Sequence, residues 1–75
     1  SIEDDLIREQ QLKDVVALLD FLPENQREVV RMRFYEDLSF NEIAEKTGVS
    51  INTALGRMRY ALINLKSLAK ERVVV

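Results

Sequence analysis

Residues 38–60 read Leu-Ser-Phe-Asn-Glu-Ile-Ala-Glu-Lys-Thr-Gly-Val-Ser-Ile-Asn-Thr-Ala-Leu-Gly-Arg-Met-Arg-Tyr, and they indicate how the rest of the chain is arranged. Ser39 precedes Glu42 by three residues, which is the spacing of a capping box, in which each side chain accepts a hydrogen bond from the other residue's backbone N–H. Leu38 and Ile43 flank this cap at the positions that pack together as a hydrophobic staple. The spacing therefore predicts a helix that starts at Ser39.

A tight turn follows about two helical turns later. Gly48 can adopt the left-handed conformation that closes a helix, and Ser50 can cap the next helix at once. The small residue Ala44 stands where the two helix backbones should approach each other. Such a pair is typical of a helix-turn-helix, whose second helix enters the major groove of DNA. The alternative interpretation is an ordinary antiparallel helix pair within a bundle.

The second helix of this pair, predicted from Ile51 to about Lys70, has two different faces. At about 100° per residue, its apolar face comprises Ala54, Met58, Ala61, Leu62 and Leu65, extended by Leu68 and Ala69. Its opposite face comprises Asn52, Gly56, Arg59 and Ile63, flanked by Thr53 and Tyr60. A solvated face more often carries Glu and Lys, and a glycine inside a helix costs about 1 kcal/mol relative to alanine. An outward glycine suits close approach to another surface, which favours the DNA-binding interpretation.

Two more helices are predicted before this pair. Residues 1–22 contain no Gly or Pro and carry apolar residues at helical spacing, so we expect a long first helix. Its acidic front, which includes Glu3, Asp4 and Asp5, is either a solvated face or a docking surface for a basic partner. We expect the last helix of the chain to pack back on this first helix.

Pro23 separates the first helix from the second. Proline disfavours helical conformation in the residue before it and is favoured at the first position of a helix. The second helix should direct Val29, Val30 and Phe34 inward and end near Asp37. The predicted fold is therefore all-α, with four helices in one domain that spans residues 1–75.

The composition excludes several kinds of chemistry. The chain has no Cys and no His, which removes disulfides, the zinc sites built on these residues, cysteine nucleophiles and histidine bases. No apolar run approaches the roughly 20 residues that span a bilayer, and no signal-peptide pattern opens the chain. We expect a cytoplasmic protein that is not an enzyme and has no cofactor, metal or catalytic residue. Because no initiator Met is present, we also expect the domain to be part of a longer protein.

Charge is distributed unevenly along the chain. The net charge is −2, which alone argues against a nucleic-acid binder. Residues 1–37, however, carry five Lys and Arg against ten Asp and Glu, whereas residues 38–75 carry six against three. The half with the predicted helix-turn-helix is thus the basic half, in agreement with DNA binding.

Three arginines of the second helix allow two interpretations. Arg27, Arg31 and Arg33 either pair with neighbouring carboxylates along the helix, or one or two of them reach DNA phosphates.

Several linked motifs resemble the C-terminal promoter-reading domain, region four, of bacterial RNA polymerase sigma factors, and most of all the extracytoplasmic-function class. The resemblance covers roughly Leu12 to Leu68. It is carried by Leu22-Pro23-Glu24, Arg27-Glu28-Val29, Arg31-Met32-Arg33-Phe34-Tyr35-Glu36, Leu38-Ser39, Glu42-Ile43-Ala44, Gly48-Val49-Ser50, Thr53 and Arg57.

This resemblance implies a function and a set of partners. In that family the last helix reads the minus-35 promoter element, and another surface docks on the flap of the polymerase β subunit and is often sequestered by an anti-sigma factor. Phosphates would be held near Ser39 to Asn41, with help from Arg31 and Arg33. Arg57 matches a family arginine directly, and its angle on the helix suits a phosphate or an intramolecular partner.

The DNA-binding residues predicted from face, charge and resemblance together are Arg33, Ser39, Asn41, Lys46, Asn52, Thr53, Gly56, Arg57, Arg59 and Tyr60. Arg59 is expected to contact a guanine edge and Asn52 an adenine. One departure from the family pattern is that Leu55 and Gly56 stand where a basic residue and a serine are usual, so the base contacts made there are not carried over.

Two other classes remain open at this point. A LuxR-type helix-turn-helix regulator shares the Glu-Ile-Ala and Ser-x-x-Thr spacing. A protein-interaction module that has lost DNA binding would explain Leu55, Gly56 and the negative net charge.

Overall fold

The computed structural model describes residues 16–72, which form four helical segments and no β-strand. α1 comprises helical residues 16–18 and the 3-10 helix Leu19–Phe21. It is followed by α2 (Glu24–Phe34), α3 (Phe40–Thr47) and α4 (Ile51–Arg72). The all-α prediction and the three predicted breaks are confirmed. The part of the predicted first helix before residue 16, which includes its acidic residues Glu3, Asp4 and Asp5, lies outside the described residues.

α4 is the longest helix and packs against α2 and α3. The core is made by apolar residues of all four segments and of the turn before α2, namely Leu18, Leu19, Leu22, Val29, Val30, Met32, Ile43, Ala44, Ala54, Met58, Ala61 and Leu65. α1 therefore joins α4 in one core, although the described part of α1 is short. Burial of this apolar surface is what holds α4 in a fixed position on the other helices.

Two side chains that were predicted to point inward do not. Phe34 is 68% exposed and Leu62 is 51% exposed. Phe34 is the last residue of α2, and it lies about 160° around the helix from Met32, which is buried at 7% exposed. Leu62 lies about 100° around the helix from the fully buried Ala61, so it borders the core without entering it.

α2 also ends three residues earlier than predicted. Tyr35 follows the helix, and Asp37 adopts a left-handed backbone with φ of 55°. This conformation turns the chain back, so that the Leu38 N–H donates to the Met32 carbonyl at 3.0 Å. Leu38 then packs against the core, as the staple prediction requires, and leads directly into the cap of α3.

Candidate nucleic-acid interface

The start of α3 is fixed by the predicted capping box. The Ser39 N–H donates to Glu42 Oε1 at 3.0 Å, and the Glu42 N–H donates to Ser39 Oγ at 3.2 Å. The hydrogen bonds from the Ser39 backbone and then from its side chain lower the pKa of Glu42, and slight desolvation opposes them. Two backbone N–H groups that have no partner within the helix are thereby satisfied.

The turn between α3 and α4 combines a left-handed glycine with a second cap. Gly48 has φ of 71°, and the Val49 N–H donates to the Ala44 carbonyl at 3.0 Å, which is the bond that defines a Schellman motif. Ser50 Oγ accepts from the Thr53 N–H at 3.1 Å and lies 3.0 Å from Thr53 Oγ1. The helix-turn-helix therefore has a defined geometry on both sides of the turn.

The outward face of α4, defined here as Asn52, Gly56, Arg59, Tyr60 and Ile63, lies opposite the buried side of the helix. All are exposed except Gly56, which is partly exposed. A Cβ atom built on Gly56 would meet nothing within 4 Å. The face is thus open to solvent and able to lie against a large partner.

Thr53 and Tyr60 were predicted to flank this face, and Arg57 lies on the same side of it as Thr53. Thr53 is exposed, and its hydroxyl is held by the Ser50 side chain. Arg57 is half-buried and Arg59 is exposed, and within residues 16–72 neither guanidinium has an ion-pair partner. Two unpaired guanidinium groups beside an open helix face are suited to bind phosphates or base edges.

Two of the predicted cations, Arg33 of α2 and Lys46 of α3, have carboxylate partners. Lys46 Nζ lies 3.0 Å from Glu36 Oε1, and both side chains are substantially exposed. Lys46 thus links α3 to the loop after α2. Such an exposed pair is worth about 0–1 kcal/mol, so a DNA phosphate can compete for the ammonium.

Arg33 makes more contacts than Lys46. Its Nη1 lies 3.6 Å from Asp37 Oδ1 and donates to the Leu38 carbonyl at 3.4 Å, and its guanidinium lies 5.7 Å from the centre of the Phe40 ring. These contacts support the structural interpretation of Arg33, in which it braces the turn that leads into α3. Arg31 is exposed and, in the described part of the chain, unpaired.

Ser39 and Asn41 lie at the start of α3, and both are exposed. Ser39 is committed to the cap, while Asn41 extends into solvent on the first turn. Arg33 lies in α2 and Ser39 caps α3. The structure brings Asn41 and Lys46 to the surface of α3, and it places on α4 the remaining predicted residues, namely Asn52, Thr53, Gly56, Arg57, Arg59 and Tyr60. Whether these residues contact DNA stays a prediction.

Sequence reasoning missed a second surface, an apolar groove between α1, α2 and α4. Its volume is about 430 Å³, and it is lined by Val16, Leu19, Val30, Phe34, Tyr35, Leu62 and Leu65. The available signal was the pair of large aromatic residues Phe34 and Tyr35 directly before the charged residues Glu36 and Asp37, where the second helix was expected to end.

The described residues contain no group of three or more His, Cys, Asp or Glu that could bind a metal ion. No helix in the same part of the chain is long and apolar enough to cross a membrane.

Comparison with known proteins agrees with this geometry. Residues 18–67 match the family model of sigma-70, region 4. The RNA polymerase sigma factor SigV of Bacillus subtilis is 43% identical over 49 residues, which are 65% of this chain and 30% of that protein. The ECF RNA polymerase sigma factor SigK of Mycobacterium ulcerans is 29% identical over 66 residues, 88% of this chain and 35% of that protein.

The chain spans about a third of the length of these curated relatives. No solved structure matches it significantly. The matched residues cover α2 and α3 completely, α1 from Leu18 onward and α4 as far as Ser67.

Proposed function

Because the chain belongs to the sigma-70 region 4 family, we propose that it binds the minus-35 element of promoters as the promoter-reading domain of a sigma factor, which directs RNA polymerase to initiate transcription. The observation that carries this proposal is the open outward face of α4 on a doubly capped helix-turn-helix. The family match also favours a sigma factor over a LuxR-type regulator.

The DNA side of this function depends on α4. A helix of this kind fits the major groove, where each base pair presents a distinct set of donors and acceptors. Arg59, exposed and unpaired among the described residues, suits the O6 and N7 atoms of guanine, and Asn52 suits the N6 and N7 atoms of adenine. Asn41, exposed on the first turn of α3, and Arg57, at the flank of the outward face of α4, are suited to phosphates.

The polymerase side depends on the apolar groove. Phe34, Tyr35 and Leu62 line the groove, and each is more than half exposed. An exposed apolar patch with a concave centre is typical of a protein interface. We infer that core RNA polymerase, through the flap of its β subunit, binds at this groove, and that an anti-sigma factor would compete for it. The domain then acts in the cytoplasm, by binding and without catalysis.

Two exposed aromatic residues allow the two surfaces to be tested separately. Phe34 lies in the groove and is 68% exposed, and Tyr60 lies on the outward face of α4 and is 62% exposed. Phe34→Ser should abolish capture of core RNA polymerase and preserve DNA binding, whereas Tyr60→Ser should weaken DNA binding and preserve capture. Each variant is the control for the other, because both remove an exposed aromatic ring.

DNA binding is measured on duplexes that the whole chain selects from a random-sequence pool, which also identifies the target sequence. Polymerase binding is measured by capture of purified core enzyme. Capture of polymerase without selection of any DNA sequence would identify a protein-interaction module. Selection of DNA without capture of polymerase would identify an autonomous regulator and contradict the sigma-factor proposal.

A further inference from the structure

Gly56 is a residue that the fold itself does not require. It lies in the first half of α4 without a positive φ, so no left-handed conformation demands glycine there. A Cβ atom at this position would meet nothing within 4 Å, so no packed neighbour excludes a side chain either. Glycine inside a helix is nevertheless unfavourable relative to alanine. The free domain would therefore be more stable with alanine at this position.

The surroundings of Gly56 are exposed and polar. Asn52 and Thr53 lie one turn before it and Arg59 and Tyr60 one turn after it, and all four side chains are exposed. On a helix, residues three and four apart are direct neighbours. Gly56 thus forms the floor of a shallow notch with hydrogen-bonding side chains on both sides.

We propose that Gly56 is a specificity-determining position, where the edge of a base pair in the promoter lies directly against the backbone of α4. The missing side chain sets how deeply the helix enters the groove, and it thereby brings Asn52 and Arg59 within reach of the bases on either side. This inference rests on the proposed DNA-binding function and adds to it the residue that controls the depth of insertion.

The geometry explains why a small residue and two longer polar residues occur together. A hydrogen bond to a base edge requires a donor–acceptor distance of about 3 Å. A methyl or isobutyl group at the floor of the notch would hold the whole helix away from the base pairs, and the contacts of both neighbours would lengthen together. A substitution at Gly56 should therefore reduce sequence discrimination more than non-specific affinity, which comes from phosphates.

The test uses Gly56→Ala and Gly56→Leu in the whole chain. Alanine and leucine have similar helix propensities, so both variants should be more stable than the original protein, with a thermal midpoint about 4 to 8 °C higher. Binding to the duplex that the original chain selects from a random pool should weaken by about fivefold to 150-fold, the range for one bidentate base contact. The leucine variant should be the weaker binder of the two.

Ser67→Ala is the matched control. Ser67 is exposed on the same helix and lies 11 positions further on, about 16 Å along the axis. This substitution also improves helix propensity, and it should leave DNA affinity unchanged. If both Gly56 variants lose affinity and Ser67→Ala keeps it, greater helix stability is excluded as the cause of the loss.

Equal or tighter binding by both Gly56 variants would overturn this inference while the proposed function remained intact. Failure of the original chain to select any DNA sequence would overturn the proposed function and this inference with it. A parallel selection with Gly56→Ala gives an independent measurement. We expect it to yield relaxed base preferences at the central positions of the site, and unchanged preferences would contradict the specificity role.

Discussion

Ser39 and Glu42 each accept a hydrogen bond from the other's backbone, at 3.2 and 3.0 Å, at the point where α3 begins. This reciprocal pair orients the helix that supports α4. Ser39→Ala removes one acceptor and should lower the free energy of unfolding by about 0.5 to 2 kcal/mol. Chemical denaturation measures the change, with Ser67→Ala as the control for loss of an exposed serine hydroxyl outside a cap. An unchanged midpoint in Ser39→Ala would show that the cap does not stabilise α3.

The same pair predicts a dependence of stability on pH. The hydrogen bonds from Ser39 lower the pKa of Glu42 below its usual value of 4.5. The carboxylate therefore stabilises the fold above pH 4.5, and this contribution is lost as the pH falls through the lowered pKa. Glu42→Gln should be less stable than the original protein at pH 7, and the difference should disappear in acid.

Urea denaturation across this pH range measures the difference. Glu45→Gln serves as the control, because Glu45 is exposed on the same helix and lies outside the cap. A difference between Glu42→Gln and the original protein that stays constant with pH would contradict the assigned role of the carboxylate.

Sequence patterns predicted where helices start and turn more reliably than they predicted which side chains near helix ends are buried. Ser39, Gly48 and Ser50 act through backbone groups of their immediate neighbours, and such local chemistry is visible in the sequence. The inward assignment of Phe34 and Leu62 was wrong because helical periodicity gives the direction of a side chain and not where the neighbouring helices end. The burial of Met32 in the core was not predicted, for the same reason.

Long-range polar contacts were not predictable from periodicity. Asn64 donates to Gln26 Oε1 at 2.7 Å and thereby joins α4 to the start of α2, across 38 positions of sequence. No spacing rule connects these residues, and either side chain alone suggests only a polar surface. The ion pairs of the cationic side chains were equally unpredictable from the sequence. Their positions in sequence gave no indication that Arg33 and Lys46 would find carboxylate partners while Arg57 and Arg59 would find none within residues 16–72.

Arg33 and Arg31 should separate a structural arginine from a DNA-binding one. Arg33→Ala removes the contact with the Phe40 ring and the hydrogen bond to Leu38, so we expect a loss of about 1 to 2 kcal/mol of stability. Its ion pair adds little, because the Asp37 side chain is 96% exposed. Arg31→Ala should change stability by less than about 0.5 kcal/mol.

Removal of Arg31 should affect DNA binding more than removal of Arg33 does. If Arg31 contacts a phosphate, its removal lowers the magnitude of the salt slope by about 0.9, and removal of Arg33 leaves the slope nearly unchanged. Denaturation and DNA titration of both variants provide the measurement. A reduced slope in Arg33→Ala at unchanged stability would assign the phosphate contact to Arg33.

Arg59 is expected to read a base. Arg59→Ala should lose about 1 to 3 kcal/mol of discrimination between the selected site and a variant in which one guanine is replaced. Arg57→Ala is the matched control, because Arg57 lies at the flank of the same helix and is half-buried. It should weaken both DNAs equally. Equal weakening of both DNAs by Arg59→Ala would instead make Arg59 a phosphate contact.

The isolated domain should bind promoter DNA no tighter than micromolar at physiological salt. Each neutralised phosphate adds about 0.9 to the magnitude of the slope of log K against log salt. Three candidate cations that are unpaired among the described residues, Arg31, Arg57 and Arg59, give about −3, and exchange of Lys46 and Arg33 from carboxylates to phosphates would bring the slope to about −4.5.

Weak binding agrees with a domain that acts while tethered to polymerase. In the sigma factor proposed above, tethering would raise the local concentration of DNA at the domain, so that modest intrinsic affinity would suffice and the contact could break when transcription begins. The net charge of −2 adds no general attraction for DNA. Fluorescence anisotropy of the whole chain at several salt concentrations measures affinity and slope together. Nanomolar binding with a slope steeper than about −8 would mean that the domain occupies its site without polymerase, as an autonomous regulator does.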